Sequence, residues 1–147
     1  MTHRQLCLLD HWKIRLIMKR VGGMVVFVSD QGQAVKFYSE KLGFDIMVNM
    51  PFKGGKWIEV APQGSETTLS LMVPNSQMLP PEDVEAAKDG IGTSTGIWFY
   101  SDNIHSEFEE LKKKGVDITI PEPQEWGGFM SQLKDPDGNA FSLISSP

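Results

Sequence analysis

Cysteine, histidine and arginine are scarce in this chain, and each scarcity closes off a class of function. There is one cysteine, Cys7, so no internal disulfide can form, and the thiol count fits a reducing compartment. A cytoplasmic location is therefore expected. The three histidines are His3, His11 and His105. Two of them stand with Cys7 near the N-terminus and the third opens a polar, helical stretch where solvation is expected. A metal site built from strand imidazoles has no residues to draw on. All three arginines, Arg4, Arg15 and Arg20, fall within the first 20 residues. Beyond them nine lysines face 18 carboxylates, a net charge of −9 on the body of the chain. Nucleic-acid binding depends on neutralising phosphates with Lys and Arg, so a nucleic-acid partner is not expected. A phosphate substrate gripped by a bidentate guanidinium is equally unsupported. Runs of about 18 apolar residues are absent as well, and no membrane partner is expected. The apolar patch near the N-terminus is interrupted by Asp10 and followed by no small-residue cleavage site, so a secretory leader is not expected.

What is present is a globular composition, 40% apolar and 22% charged over 147 residues, enough for one core. An internal repeat organises it. "VVFVSDQGQAVKFYSEKLGFDI" (25–46) laid over "IWFYSDNIHSEFEELKKKGVDI" (97–118) matches at Phe27/Phe99, Ser29/Ser101, Asp30/Asp102, Lys41/Lys113, Gly43/Gly115, Asp45/Asp117 and Ile46/Ile118. The same offset of 72 brings "LSLM" (69–72) onto "FSLI" (141–144). Two agreements at one offset point to a duplicated module.

Each copy reads alike. A β-rich run (24–28 and 97–100) ends at a helix N-cap, Asp30 in the first copy and Asp102 or Asn103 in the second. A helical stretch follows and closes on Gly43 or Gly115, where a C-cap glycine belongs. Three strands complete each copy: 45–50, 57–61 and 67–73, then 117–120, 129–133 and 140–144. The order is β-α-β-β-β twice, an α+β class. Residues 1–20 form an N-terminal extension, with a short amphipathic helix docking on the body as one reading of residues 1–17. Residues 21–147 form the single domain: module one 21–73, a linker 74–93 and module two 94–147. The acidic, Pro-bounded linker has one helical turn near 83–88 and is either a plain connector or a lid. Before the last strand, "DPDGN" (135–139) is a turn in which Pro presets φ, Gly accepts positive φ, and Asp and Asn bond their own backbone.

Two tandem βαβββ modules, "SDQGQAVKFYSEKLGF", and "DPDGN" leading into a last strand resemble the vicinal oxygen chelate superfamily, which includes glyoxalases, bleomycin resistance proteins and extradiol dioxygenases. The resemblance covers roughly residues 21–145. It implies paired half-barrels enclosing a cavity, and commonly a homodimer. In metal-dependent members the first and last strands of each module supply His, Gln or Glu ligands. Here the equivalent positions are Gly23, Ser70, Gly96 and Ser142, none of them a usual ligand for a divalent ion. The resemblance therefore implies a scaffold without its metal, and no cofactor is expected.

Alternation puts Gly96, Trp98 and Tyr100 on one face of the fifth strand and Ile97 and Phe99 on the other. By the family pattern the Gly96 face looks into the cavity. Trp57, Trp126, Phe52, Met72, Phe129 and Met130 are further apolar candidates for its lining, with Ser70 and Ser142 as placed polar groups. Glu59 is the one acid inside an apolar strand, "KWIEVAP". It is expected on a solvent edge, though in a cleft it would serve as a base or meet a cation. Glu59 and Tyr100 are the only catalytic candidates. The expected function is metal-independent binding of a small hydrophobic or aromatic molecule, as in antibiotic or metabolite sequestration. The alternative is a metal-dependent or metal-free lyase, isomerase or dioxygenase of the same superfamily.

Overall fold

The computed structural model describes residues 17–147. The N-terminal histidines, Cys7 and the docking helix considered for residues 1–17 lie outside the described residues, apart from Ile17 itself. Module one contributes β1 (Gly23–Phe27), β2 (Asp45–Phe52), β3 (Gly55–Ala61) and β4 (Thr68–Met72), in the sheet order β1-β4-β3-β2. Module two contributes β5 (Ser94–Ser101), β6 (Asp117–Ile118), β7 (Glu122–Pro123), β8 (Phe129–Lys134) and β9 (Ala140–Ser145), ordered β5-β9-β8-β6 with β7 also on β8. In both sheets the first strand runs parallel to the last, β1 with β4 and β5 with β9, while the other pairings are antiparallel. The two βαβββ modules read from the repeat, and the paired half-barrels that the resemblance implies, are what the chain forms. Of the strand expected over 117–120 only Asp117 and Ile118 form β6, and a separate short strand, β7, follows Pro121, which has no N–H to give a ladder.

The helices explain a shift of register within the repeat. Helix α1 (Gln31–Lys36) is capped by Asp30, whose carboxylate accepts from Gln33 N–H at 2.8 Å. It continues as a π-helical turn, Phe37–Lys41, closed by Leu42 N–H to Phe37 C=O at 3.1 Å. Helix α3 (Ile104–Lys113) is α throughout, and its cap is Asn103, not Asp102. Asp30 therefore corresponds to Asn103 at an offset of 73, whereas Gly43 corresponds to Gly115 at 72. One extra residue in the first helix separates the two offsets, and the wider π turn absorbs it. The strands before the helices obey the larger offset. Val25 registers with Ser70 and Trp98 with Ser142, so the pairing of Phe27 with Phe99 at 72 is off by one. Between these helices the linker carries α2 (Pro81–Asp89), longer than the single turn expected, with Pro81 at its first position.

The helix-bearing faces of both sheets share one core. Val26, Ile58, Val60, Leu69 and Leu71 from the first sheet, with Val28 just past β1, join Leu133, Phe141 and Leu143 from the second, with Phe37 and Tyr38 of the π turn and Ile104 of α3. Phe44 stands edge-on to Phe99 across the modules, ring centroids 5.3 Å apart. The "DPDGN" turn ties the halves by hydrogen bonds. Asp135 is buried and accepts from Tyr38 Oη (2.8 Å), Asn139 Nδ2 (2.8 Å) and the backbone N–H groups of Asp137 and Asn139 (2.9 Å each). Asn139 Nδ2 also donates to Phe27 C=O at 2.9 Å, and Asp137 receives the Ser29 N–H and hydroxyl. Burial, then the Asp135 charge, pushes the Tyr38 phenol far above its ordinary value, so it stays protonated and donates. Tyr38→Phe deletes this cross-module donor to a buried carboxylate. It should cost about 1–3 kcal/mol in urea unfolding, whereas a loss under about 0.5 kcal/mol would mean the clamp contributes little.

At the start of β1 the two backbones approach closely. A Cβ on Gly23 would lie 2.8 Å from the Thr68 carbonyl oxygen, while one on Gly22 would meet nothing within 4 Å. Gly23→Ala should therefore destabilise by about 1–3 kcal/mol, the usual range for overpacking. Gly22→Ala serves as the near-neutral control in the same thermal melts.

Candidate functional site

Residues paired in register share a face of the sheet, so one buried set assigns the other. Leu69, Leu71, Ile58 and Val60 point into the core. The opposite, concave face of the first sheet therefore carries Gly23, Val25 and Phe27 from β1, Thr68, Ser70 and Met72 from β4, Trp57 and Glu59 from β3, and Val48, Met50 and Phe52 from β2. A bulge between Ile46 and Val48 re-aims β2 so that its last residues join this face. In the second sheet Leu133, Phe141 and Leu143 are buried in the core. Its concave face carries Trp98 and Tyr100 from β5, Ser142 and Ile144 from β9, and Met130 and Gln132 from β8.

Each concave face has its own hollow. The first, about 210 Å³, is lined by Val25, Phe27, Phe52, Lys53, Trp57, Met72, Met78 and Leu79. Phe52 and Trp57 meet edge to face at 5.5 Å, and Met78 and Leu79 come from the linker. The linker thus forms part of the wall, held by Asn75, whose side chain accepts from the N–H groups of Gln77 and Met78. The second hollow, about 500 Å³, is lined by Trp98, Tyr100, Trp126, Ile144 and the C-terminal residues 145–147. Trp98 is 55% and Tyr100 73% exposed, so two large rings stand on a sheet face with little over them. Covering about 150–200 Å² of those rings would release about 4–5 kcal/mol at about 25 cal/mol per Å².

The polar groups fall differently from the reading of the sequence. Glu59 does not project from an edge; it is half-buried on the first concave face, opposite Ser70, and its Oε1 accepts from Trp57 Nε1 at 3.1 Å. The bulge in β2 and the poor alternation of "KWIEVAP" hid this side. Ser70 is 5% exposed, and its Oγ has no hydrogen-bond partner among the described residues. Tyr100 lies on the other sheet, so the two catalytic candidates are not brought together on one face. Phe129 also departs from expectation. It packs against the core, with the exposed His105 edge-on at 4.7 Å, and only its neighbour Met130 faces the hollow side. Val25, Phe27, Met78 and Leu79 were not anticipated as lining. The first pair required the offset of 73, and the second lies in a segment without periodicity.

The four positions where the superfamily places metal ligands can be tested against a divalent ion. Gly23 has no room even for a Cβ, and Gly96 sits at φ +71° within an irregularity of the β5–β9 ladder. Ser70 and Ser142 offer hydroxyls only. Among the described residues no three His, Cys, Asp or Glu side chains converge. This donor set does not fit such an ion. A separate hollow of about 340 Å³ opens on the helix side among Leu42, Phe44, Phe99, Leu111 and Leu133. Its walls are edges of the core, and Lys114 Nζ donates to the Lys41 carbonyl at its margin.

No helix among the described residues is long and apolar enough to cross a membrane. The chain is 37% identical over 129 residues to YetH of Bacillus subtilis (strain 168), covering 86% of this chain and 98% of that protein. The crystal structure of TnmS3, an antibiotic binding protein from Streptomyces sp. CB03234, superposes with a TM-score of 0.74 at 30% identity, covering 90% of this chain and 99% of that one. A lactoylglutathione lyase from Agrobacterium tumefaciens shares the fold at 16% identity and a TM-score of 0.67, over 88% of this chain and 95% of that one. The family model described as Glyoxalase/Bleomycin resistance protein/Dioxygenase superfamily matches residues 20–143, and with the two half-barrels and their concave faces it shows that the chain belongs to that superfamily.

Proposed function

We propose that this chain is a metal-independent binding protein that holds a small hydrophobic or aromatic molecule against its concave faces, as a sequestering member of the superfamily. The observation that carries the reading is the pairing of Trp98 and Tyr100, standing exposed, with glycine and serine at the positions of the superfamily's metal ligands. Rings of this kind gain most from an apolar partner, and hydroxyls or missing side chains cannot polarise a substrate carbonyl as a Lewis acid would. The likeness to an antibiotic binding protein supports binding over turnover. Because neither hollow is walled by both sheets, a second copy of the chain is the natural cover for both, and a homodimer is part of the proposal.

Three outcomes test it. Native mass spectrometry of the protein as expressed should give a metal-free dimer, with or without a co-purified organic mass; a stoichiometric divalent ion would move an enzymatic reading to the front. EDTA should leave the melting temperature unchanged. A fall of several degrees, restored by Zn²⁺, Ni²⁺ or Fe²⁺, would contradict metal independence. Finally, Trp98→Ala should abolish the fluorescence response to an aromatic ligand, leaving urea stability within about 0.5 kcal/mol since the ring is exposed. Normal binding by this variant would remove Trp98 from the site.

A further inference from the structure

We infer that the helix-side hollow between the modules is a second ligand site, taking a linear aliphatic carboxylate with its head group at Lys41 and Lys114. The site is separate from the concave faces and goes beyond the function proposed for them.

The hollow has the size and lining such a molecule needs. Its volume of about 340 Å³ falls within the range of small-molecule cavities. Four leucines, Leu42, Leu111, Leu133 and Leu143, line it together with Phe44 and Phe99. Leu42, Phe44, Phe99 and Leu111 pack against the core yet are only partly buried. They retain apolar surface that an aliphatic chain would remove from water. The wall contributed by α3 and the residue after it is one stripe, from Ser106 through Glu107, Glu110 and Leu111 to Lys114. At about 1.5 Å per residue, that stripe is about 12 Å long. An extended chain advances about 1.2 Å per bond, so about ten bonds match this length.

The charges give the chain a direction. Lys41 ends the π turn and Lys114 follows α3, and their side chains cross where the two helices end. Lys114 Nζ donates to the Lys41 carbonyl at 3.4 Å, while Lys41 Nζ stands 3.8 Å from where a Cβ on Gly115 would lie. Neither ammonium forms an ion pair among the described residues. The carbonyl end of a helix offers only about half a negative charge, so two ammonium groups leave this corner net positive. The carboxylates of the stripe are engaged or distant. Glu110 is held by Lys113 at 3.7 Å, and Glu107 lies about two helical turns from Lys114. A carboxylate head group would accept charge-assisted bonds at the lysine corner, with its tail along the leucines towards Ser106. A cationic head group would meet like charge there, and a neutral one would leave both ammonium groups without a counter-ion.

The test titrates octanoate, 1-octanol and octylammonium calorimetrically into the full-length protein. Octanoate should bind about fivefold more tightly than the alcohol, as expected for ion pairs at a surface corner, and octylammonium most weakly. From hexanoate to decanoate each methylene should tighten binding by up to about fourfold, and the gain should stop once the trough is full. The double variant Lys41→Gln, Lys114→Gln should bind octanoate and octanol equally, with an unchanged melting temperature because both side chains are exposed. Trp98→Ala should leave octanoate binding unaltered, since Trp98 does not line this hollow. Equal affinity for octanoate and octanol, a preference that survives the double variant, or a gain that continues undiminished to tetradecanoate would overturn the inference. Loss of octanoate binding in Trp98→Ala would place the chain on the concave face, overturning this inference while supporting the function proposed there. No saturable octanoate binding would also overturn it, and would leave the response of Trp98 to an aromatic ligand as a separate question.

Discussion

The fold turns on one buried carboxylate. Asp135 is surrounded by four donors, two from its own turn's backbone, one from the Asn139 side chain and one from Tyr38 in the other module. Burying a charge is tolerable only where its lone pairs are answered, and here they are answered by groups that exist together only when both modules are docked. The same turn sends Asn139 to the Phe27 carbonyl and to Gly92 N–H, and Asp137 to Ser29. A five-residue turn in module two thus reaches the end of β1, the start of α1 and the linker. Apolar packing of Phe44, Phe99 and Phe141 supplies the area around it, but the hydrogen bonds set which residues meet.

That docking uses up the helix-bearing faces and leaves the concave faces free. Exposed Trp98 and Tyr100 are a poor use of apolar surface for a chain that only has to fold. They accord with the ligand surface proposed for the concave faces. The first sheet is arranged differently from the second: Ser70 and Met72 are buried, Glu59 and Trp57 half-buried, and the linker closes one end. The two modules are similar frames, one aromatic and open, the other narrower and walled in part by the linker.

Much of this architecture was legible in the residues. Strand and helix runs, the capping Asp30, Gly43 and Gly115, and the turn at 135–139 follow from local rules that hold wherever the segment sits. The face of β5 was also legible, because Trp98 and Tyr100 alternate cleanly with Ile97 and Phe99. What failed was continuity. A fixed offset of 72 aligns identities on both sides of the first helix, yet the π turn inserts one residue between them and flips the parity of β1 relative to β5. The side taken by Glu59 was hidden for a related reason, since the bulge in β2 and the poor alternation of β3 defeat a period-two reading.

By itself, the sequence determined the elements, their order and their twofold repetition, and it ruled out histidine ligands in the strands. Those are matters of residue type and short-range geometry. Only the tertiary structure decided which face of each strand became core, that the "DPDGN" turn serves as the clamp between modules, and that Glu59, Trp57 and Ser70 lie together on one concave face. Each depends on pairing between strands far apart in the chain, where a single inserted residue exchanges inside for outside. Local preference carries no record of such a partner, and packing does.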